Sequence, residues 1–571
     1  MKNTIELLDT SLRDGSQGEG ITFSVRDKLA VVKALDALGV TWIEAGNPGS
    51  NPKDAEFFRL AAEIKLEHAR LCAFGSTRKK GVRPEDDKQV QSLLDANTEA
   101  VTIFGKSSYL HVTQVLMVEP AENLAMIEDT VAFFKQHGRF VIYDAEHFFD
   151  GFAENADYAL STLQTALAAG ADRIVLCDTN GGAFPDAIER GVKAALSVVS
   201  DTSTASAAVV SDTSATPTPA AVVPDTSVMS TPKVVESDTP AVIIGIHAHN
   251  DSDLAIANSL AAVKAGCRHI QGTLLGFGER CGNTALGALI PSLELKLGLH
   301  CLPSGKLEHI STTCRQIAEI ANVSMPDNMP YVGSRAFAHK AGMHADGILK
   351  LRSSFEHIDP TLVGNDRRFL MSEIGGRSAI AERARKLDPS LTKEHPVVSA
   401  LAVRLKTLEA EGWQFEGADG SFELLVRREL GRYQPLFKII AYRVVTEHPN
   451  GEAIACSHAW VKVWVDGQDD IAAAEGPGPV NALDGALRRA LKRFYPELEQ
   501  VRLTDYKVRV IDGRDATAAR VRVLIESSDG QHTWSTVGVS ADIIDASRAA
   551  LVDSIEYKLI GDIERRFKAY L

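Results

Sequence analysis

The chain has seven cysteines among 571 residues and no CxxC pair. An odd, scattered set offers no disulfide framework and no thiolate knuckle, so the thiols are expected reduced, in the cytoplasm. No apolar run reaches the length that crosses a bilayer. The opening "MKNTIELLDTSLRDG" turns acidic at once and has no apolar signal core. Positive charge is in deficit: 61 Lys and Arg stand against 75 Asp and Glu, a formal net charge of −14. That balance excludes nucleic acid or an anionic membrane surface as the main partner. No GxGxxG follows the first predicted strand, so the usual dinucleotide fingerprint is missing.

What the sequence does contain, up to about residue 290, is one pattern repeated. A short β-rich apolar run ends in polar or glycine residues, and an amphipathic stretch follows. The runs are "IELLDTSLRDG", "TWIEAGNPG", "RLCAFGST", "AVTIFGKS", "FVIYDAEHF", "RIVLCDTNG", "VIIGIHAHND" and "HIQGTLLGFGERCGN". Stretches such as "SVRDKLAVVKALDALG" between them carry apolar residues at helical spacing. Alternating strand and helix implies a parallel sheet, and eight units predict a closed (β/α)8 TIM barrel. An open doubly wound sheet is the alternative.

A barrel carries its chemistry at the C-terminal ends of its strands. Arg13 and Asp14 follow strand 1, Glu44 ends strand 2 and Glu146 ends strand 5. Asp178 and Thr179 end strand 6, His247 and His249 end strand 7, and Glu279 and Asn283 follow strand 8. Side chains two apart in a strand share a face, so His247 and His249 point the same way. Strands 1, 7 and 8 are contiguous once a barrel closes, which lets Asp14 and Asn283 reach the same point. An HxH pair alone is a weak signal and reads first as two hydrogen-bonded histidines near a strand end. Four ligand types converging from adjacent tips point instead to a divalent cation. The set lacks thiolate, which favours Mg2+ or Mn2+, with Zn2+ open and the two-His-one-carboxylate iron triad as competitor. A cation beside an arginine suits a 2-oxo acid, whose keto and carboxylate oxygens can chelate it. Arg13 then faces the developing alkoxide and Glu44 orients Arg13. The competing reading of Arg13 and Glu44 is an interior salt bridge without chemistry.

Together "DTSLRDGSQGEG", "IEAG", "GIHAHND" and "GERCGN" resemble the 2-isopropylmalate synthase, homocitrate synthase and citramalate synthase family. "AFGSTRKKGV", "YDAEHFFDG" and "HIDPTLVGNDRRFLMSEIGGRSAI" are most similar to its long-form citramalate synthase group. The resemblance implies a metal-dependent barrel acyltransferase that condenses acetyl-CoA with a 2-oxo acid. Pyruvate would give (R)-citramalate on a route to isoleucine; 2-oxoisovalerate and the homocitrate reaction are the alternatives. It implies that Asp14, His247, His249 and Asn283 hold the metal, that Arg13 contacts the oxo group with Glu44 beside it, that Thr179 binds the substrate carboxylate, and that Glu146 helps activate the acetyl methyl. His344 and Asp346 in "AFAHKAGMHADG" assist catalysis in the family, reaching across a homodimer. Phe355 stands where a tyrosine is expected. A carbon–carbon lyase on the same barrel and a catalytically dead scaffold are the other function classes.

Residues 1–300 are assigned to the barrel, 301–432 to mostly helical connecting subdomains and 433–571 to a C-terminal α+β domain. That last part reads as two βββα units, each with a glycine turn (Gly478, Gly538) and a helix capped near Asn481 or Asp542. "EGPGPVNALDGALRRAL" resembles the family's regulatory domain, which implies dimerisation and an isoleucine effector, with leucine second; a dimerisation domain without effector is the alternative. One stretch fits none of this. "VVSDTSTASAAVVSDTSATPTPAAVVPDTSVMSTPKVVESDTP" repeats a Val-Val…Asp-Thr phrase, with few core anchors. Residues 199–239 are expected to form a disordered insertion between helix 6 and strand 7.

Overall fold

The computed structural model describes residues 3–209, 242–339, 342–369, 377–447, 456–511, 519–530 and 532–570. They form two compact units, Met1–Phe337 with Ile358–Asp366, and Ala338–His357 with Arg367–Leu571. Among the described residues no helix is long and apolar enough to cross a membrane.

The first unit holds a closed parallel barrel of eight strands in chain order. They are β1 (Glu6–Asp9), β2 (Trp42–Glu44), β3 (Arg70–Ser76), β4 (Ala100–Lys106), β5 (Phe140–Glu146), β6 (Arg173–Asp178), β7 (Ile243–Ala248) and β8 (His269–Gly272). Closure is made by β1 against β8, with Leu7 opposite Ile270 and Asp9 opposite Gly272. Both faces of each strand are covered, so the strands read as nearly unbroken apolar runs. Local signals fix the helices between them. Ser24 and Asp27 form a capping box at the start of Val25–Leu38, and Gly39 ends that helix at φ +94°.

The barrel interior is layered. At its N-terminal end Arg173 grips Glu6 through Nε and Nη2 at 2.8 and 2.7 Å, and His269 Nδ1 lies 3.4 Å from the same carboxylate. Above this ion cluster Leu8, Trp42, Cys72, Ala100, Ile142 and Val175 form an apolar layer. A second group of polar residues gathers above that layer, at the C-terminal ends. The cluster and the layer close the lower end of the barrel, so the site opens at one end alone. The unit also runs past residue 300: Ile310, Cys314 and Ile317 of the helix Ile310–Ile320 pack into the barrel's core.

The repeated Val-Val…Asp-Thr stretch interrupts this barrel without dividing it. β6 and β7 lie side by side, Arg173 opposite Ile243 through Asp178 opposite Ala248. The helix after β6 spans Pro185–Val209, so the first copy of the phrase continues that helix where an irregular insertion was expected from 199. Residues 210–241 lie outside the described residues.

In the second unit β9 (Ala338–His339) and β10 (Arg368–Phe369) pair in parallel. Two antiparallel sheets follow. The first is β11 (Lys438–Glu447), β12 (Cys456–Val465) and β13 (Gln468–Gly476), followed by the helix Pro479–Lys492. The second is β14 (Arg502–Val510), β15 (Val521–Ser528) and β16 (Thr533–Ser540), followed by the helix Ile543–Tyr570. Both opening strands shift register near their start, between Ile439 and Ala441 and between Leu503 and Asp505. A matching bulge in each copy supports the reading of two βββα units. Two local expectations are corrected. Asp542 caps its helix, accepting from Ile544 N at 2.6 Å, but the other N-cap is Gly478 followed by Pro479, with Asn481 already inside the helix. Gly538 is a strand residue rather than a turn: a Cβ there would meet Ala546 O at 2.0 Å, so glycine lets the second helix press onto β16.

Glu556 on that helix is fully buried, and its Oε1 accepts from Leu436 N at 2.9 Å. Burial pushes its carboxyl up to about 7, against an ordinary value of 4.5. The folded form therefore holds a proton that the unfolded chain has released. Stability falls as pH rises from 4.5 and levels off above about 7. Glu556→Gln keeps the acceptor and removes the charge. It is expected to add about 1–2 kcal/mol at pH 8 and nothing at pH 4.5, read from urea melts at both pH values.

Candidate active site

The turn after β1 begins the site. Gly15 N and Arg13 N donate to Thr10 O at 3.0 and 3.1 Å, and Thr10 Oγ1 donates to Glu44 Oε1 at 2.6 Å. Glu44 is fully buried at the tip of β2. Arg13 lies above it, with Nε donating to Glu44 Oε1 at 2.5 Å, Nη1 to Asp14 Oδ2 at 2.8 Å, and the guanidinium 3.7 Å over the Phe74 ring. Burial alone would loosen the guanidinium's proton, but Glu44 and Asp14 bind it more tightly than usual. Burial likewise opposes ionisation of Asp14, and Arg13 overrides it, holding the carboxyl at about 2.

Across the closed barrel, β7 delivers the two imidazoles. His247 and His249 are both buried, with their Nε2 atoms 3.2 Å apart and 3.7 and 3.8 Å from Asp14 Oδ2. Burial drives both rings toward the neutral form, His247 to about 3. Asn283 arrives from the loop after β8. Its Nδ2 donates to Asp14 Oδ1 at 2.8 Å and to Phe277 O at 3.1 Å, while its buried Oδ1 has no hydrogen-bond partner. Glycines make this approach feasible. At Gly278, φ +152°, a Cβ would sit 2.2 Å from Asn283 Nδ2, and at Gly282, φ +85°, one would sit 2.0 Å from Gly276 O.

The donor set fits a divalent cation. Two neutral nitrogens facing each other 3.2 Å apart, a carboxylate and an orphaned amide oxygen are poorly satisfied alone. The ligand atoms of Asp14, His247 and His249 all lie within 4.8 Å of one another. A second group at that spacing, Cys456, His458 and Glu475, sits on the outer face of β12 and β13 with Glu475 exposed, and no buried orphan atom adjoins it.

The cluster opens into a cavity of about 230 Å3. Its wall includes Phe74 and Phe104, stacked 5.2 Å apart. Glu146 and Thr179 also line it. Glu146 is ion-paired with Lys106 of β4. Thr179 Oγ1 accepts from His147 N at 2.8 Å, which leaves its own hydrogen available to donate. Arg280, also on the wall, donates to Thr179 O at 2.7 Å and to Asp251. His147 takes φ +57° to make its bond, a left-handed conformation kept where the surroundings demand it. Asp178 is not on this wall. Alternation turns Cys177 inward, and Asp178 accepts from Ala183 N and Asn258 Nδ2 instead.

His344 and Asp346 belong to the second unit, on the helix Gly342–Lys350. Asp346 accepts from Lys350 Nζ at 2.6 Å, and the exposed His344 ring stacks on Phe355 at 4.2 Å. The sequence reading missed Lys106, Asp144, Gln271, Arg280 and the Phe74–Phe104 wall. Arg280 lay inside the quoted "GERCGN", Asp144 inside "YDAEHFFDG" and Phe74 inside "AFGSTRKKGV"; Phe104, Lys106 and Gln271 lay in quoted strand runs, and none of them was singled out.

Comparison with known proteins matches three family models in turn along the chain. The HMGL-like model matches residues 4–223 and 212–323, the homocitrate synthase post-HMGL domain-like model 331–412, and the LeuA allosteric (dimerisation) domain 416–559. An (R)-citramalate synthase of Synechocystis is 46% identical over 98% of this chain and 96% of its own length. The chain belongs to the (R)-citramalate synthase family. Another member, from Aquifex aeolicus, is 43% identical over 99% of both chains. A 2-isopropylmalate synthase of Pyrococcus furiosus is 27% identical over 97% of this chain and 99% of its own, well below these two citramalate synthases.

Proposed function

We propose that this family member condenses acetyl-CoA with pyruvate and water, releasing (R)-citramalate and CoA as a step toward isoleucine. The carrying observation is the buried Asp14–His247–His249 cluster, with the part-buried Arg13 against it, opening into a small cavity with an aromatic wall. A divalent cation held by Asp14, His247, His249 and Asn283 Oδ1, most simply Mg2+ or Mn2+ with Zn2+ open, would supply Lewis-acid polarisation of the acceptor carbonyl. The chain's own groups do the rest. Arg13, fixed by Glu44, Asp14 and Phe74, directs its remaining N–H groups at the oxygen that gains charge. Thr179 donates its free hydroxyl hydrogen to the acceptor carboxylate. Glu146, beside Lys106, accepts a proton from the acetyl methyl. The carbanionic carbon attacks the keto carbon, and water then cleaves the thioester.

Phe74 and Phe104 bound the space for the acceptor's side chain. A hydrophobic wall of this kind discriminates between a methyl and an isopropyl group by about 1–3 kcal/mol per methylene. We further assign His344 and Asp346 an assisting role from a partner subunit, and the second unit a role in homodimer formation. That unit would bind isoleucine, with leucine second. Seven free thiols suit a cytoplasmic setting.

The test is thiol release from acetyl-CoA with pyruvate, 2-oxobutanoate, 2-oxoisovalerate and 2-oxoglutarate, each with Mg2+, Mn2+ or Zn2+. Pyruvate is expected to lead 2-oxoisovalerate by about 10-fold or more in kcat/KM. A preference for 2-oxoisovalerate overturns the acceptor, and no thiol with any acid overturns the reaction. Isoleucine added to the same assay is expected to inhibit more than leucine; no response to either removes the effector.

A further inference from the structure

The two ring nitrogens of His247 have different neighbours. Nε2 faces His249 and Asp14. Nδ1 lies 2.9 Å from Gln271 Oε1. Gln271 is anchored in turn, its Nε2 donating to Asp144 Oδ1 at 2.8 Å. All three side chains are buried in the barrel, and neither Gln271 nor Asp144 belongs to the cation cluster itself. The arrangement follows from strand register. His247 of β7 is directly opposite Gln271 of β8, and Asp144 reaches in from β5.

An amide has one donating end and one accepting end. Asp144 Oδ1 accepts whether or not its other oxygen carries a proton, so the donating end of Gln271 belongs at Asp144. Oε1 must then face His247, and because it can only accept, Nδ1 carries the hydrogen. Nε2 is left with its lone pair directed at Asp14 and His249. We infer that Gln271 and Asp144 are positioning residues that hold His247 in the Nδ1–H tautomer and present Nε2 as a ready cation ligand. The inference rests on the reading of the cluster as a cation site. His249 shows the contrast: its Nδ1 is buried without a hydrogen-bond partner, so one imidazole is held and the other is left to adjust. Partners of this kind on a ligating histidine change cation affinity about 10–100-fold when removed.

The experiment uses the full chain stripped of metal and titrated with Mn2+ alone, with free Mn2+ followed by electron paramagnetic resonance. Gln271→Met keeps the length of the side chain but cannot accept from Nδ1–H. Mn2+ affinity is expected to fall about 10–100-fold. Thermal melts in excess chelator accompany each titration, because a merely structural role would lower the melt and leave Mn2+ binding alone. The double variant D144N/Q271E reverses the chemistry of the link. The carboxylate introduced at 271 accepts from Nδ1–H and from the amide introduced at 144, so binding is expected to return toward that of the unaltered chain. Q271M binding Mn2+ as tightly as the unaltered chain overturns the role. So does a folded double variant that fails to bind, even if Q271M itself does not fold. His247→Ala separates the two layers of argument. If H247A also binds Mn2+ normally, the cation reading fails; if H247A loses binding and Q271M does not, only the positioning role fails.

Discussion

His247→Ala is expected to abolish thiol release from acetyl-CoA and pyruvate while the protein still unfolds in a single cooperative transition. The imidazole supplies one of two facing nitrogens in the cluster, and among the described residues the His–carboxylate cluster holds only Asp14 and His249 besides it. Gln271 Oε1 sits on the far side of the ring, against Nδ1. Loss of one such electrostatic element costs about 10^2–10^3 in rate even where the rest of the site survives. Loss of the cation as well would push activity below detection. The fold is a different matter. A buried ring is removed from the polar end of the barrel, above the apolar layer of Leu8, Trp42 and Ile142. Truncations of this size cost about 2–5 kcal/mol, against about 5–15 kcal/mol for a typical domain. Circular dichroism and a thermal melt beside the activity assay check both halves. Activity retained in excess chelator, in the variant or the unaltered chain, would defeat the cation reading.

Arg13→Gln separates catalysis from architecture. Alone it leaves Glu44 fully buried without its cationic partner, at a cost of about 3–5 kcal/mol. It also removes the donor aimed at the oxygen that gains charge, so kcat is expected to fall by about 10^2–10^3. Both losses appear together in the single variant and say little about cause. The pair R13Q/E44Q is the informative one. With both charges gone, the buried penalty is relieved and stability should recover most of what the single variant lost. Activity should not recover. Urea melts and the thiol assay on the same preparations read the two quantities. A double variant as active as the unaltered chain would make Arg13 and Glu44 an interior salt bridge and nothing more.

Much of the barrel was legible without coordinates because its signals are local. Each strand is a short apolar run with a polar tip, and the tips named the end of the barrel that carries the chemistry. His247 and His249 could be placed on one face because side chains in a strand alternate, whatever the strand pairs with. Joining them to Asp14 and Asn283 needed only the rule that β1 and β8 meet on closure. The same alternation should have turned Asp178 away from the cavity, since Cys177 next to it points in. Its acidic charge at a strand tip masked that.

What the sequence determined by itself was the order of elements, the two βββα copies and the candidate cation ligands, because periodicity and tip chemistry are properties of neighbouring residues. Tertiary structure alone decided the contacts that depend on register. Gln271 stands opposite His247 only because β7 and β8 align there. Phe74 stacks on Phe104, and Lys106 meets Glu146, because β3, β4 and β5 lie side by side in one alignment. A glutamine in mid-strand has no motif. Sliding one strand past its neighbour would give it a different partner while leaving the local sequence pattern unchanged. The sequence of each strand shows what it can present; the closed sheet fixes what it meets.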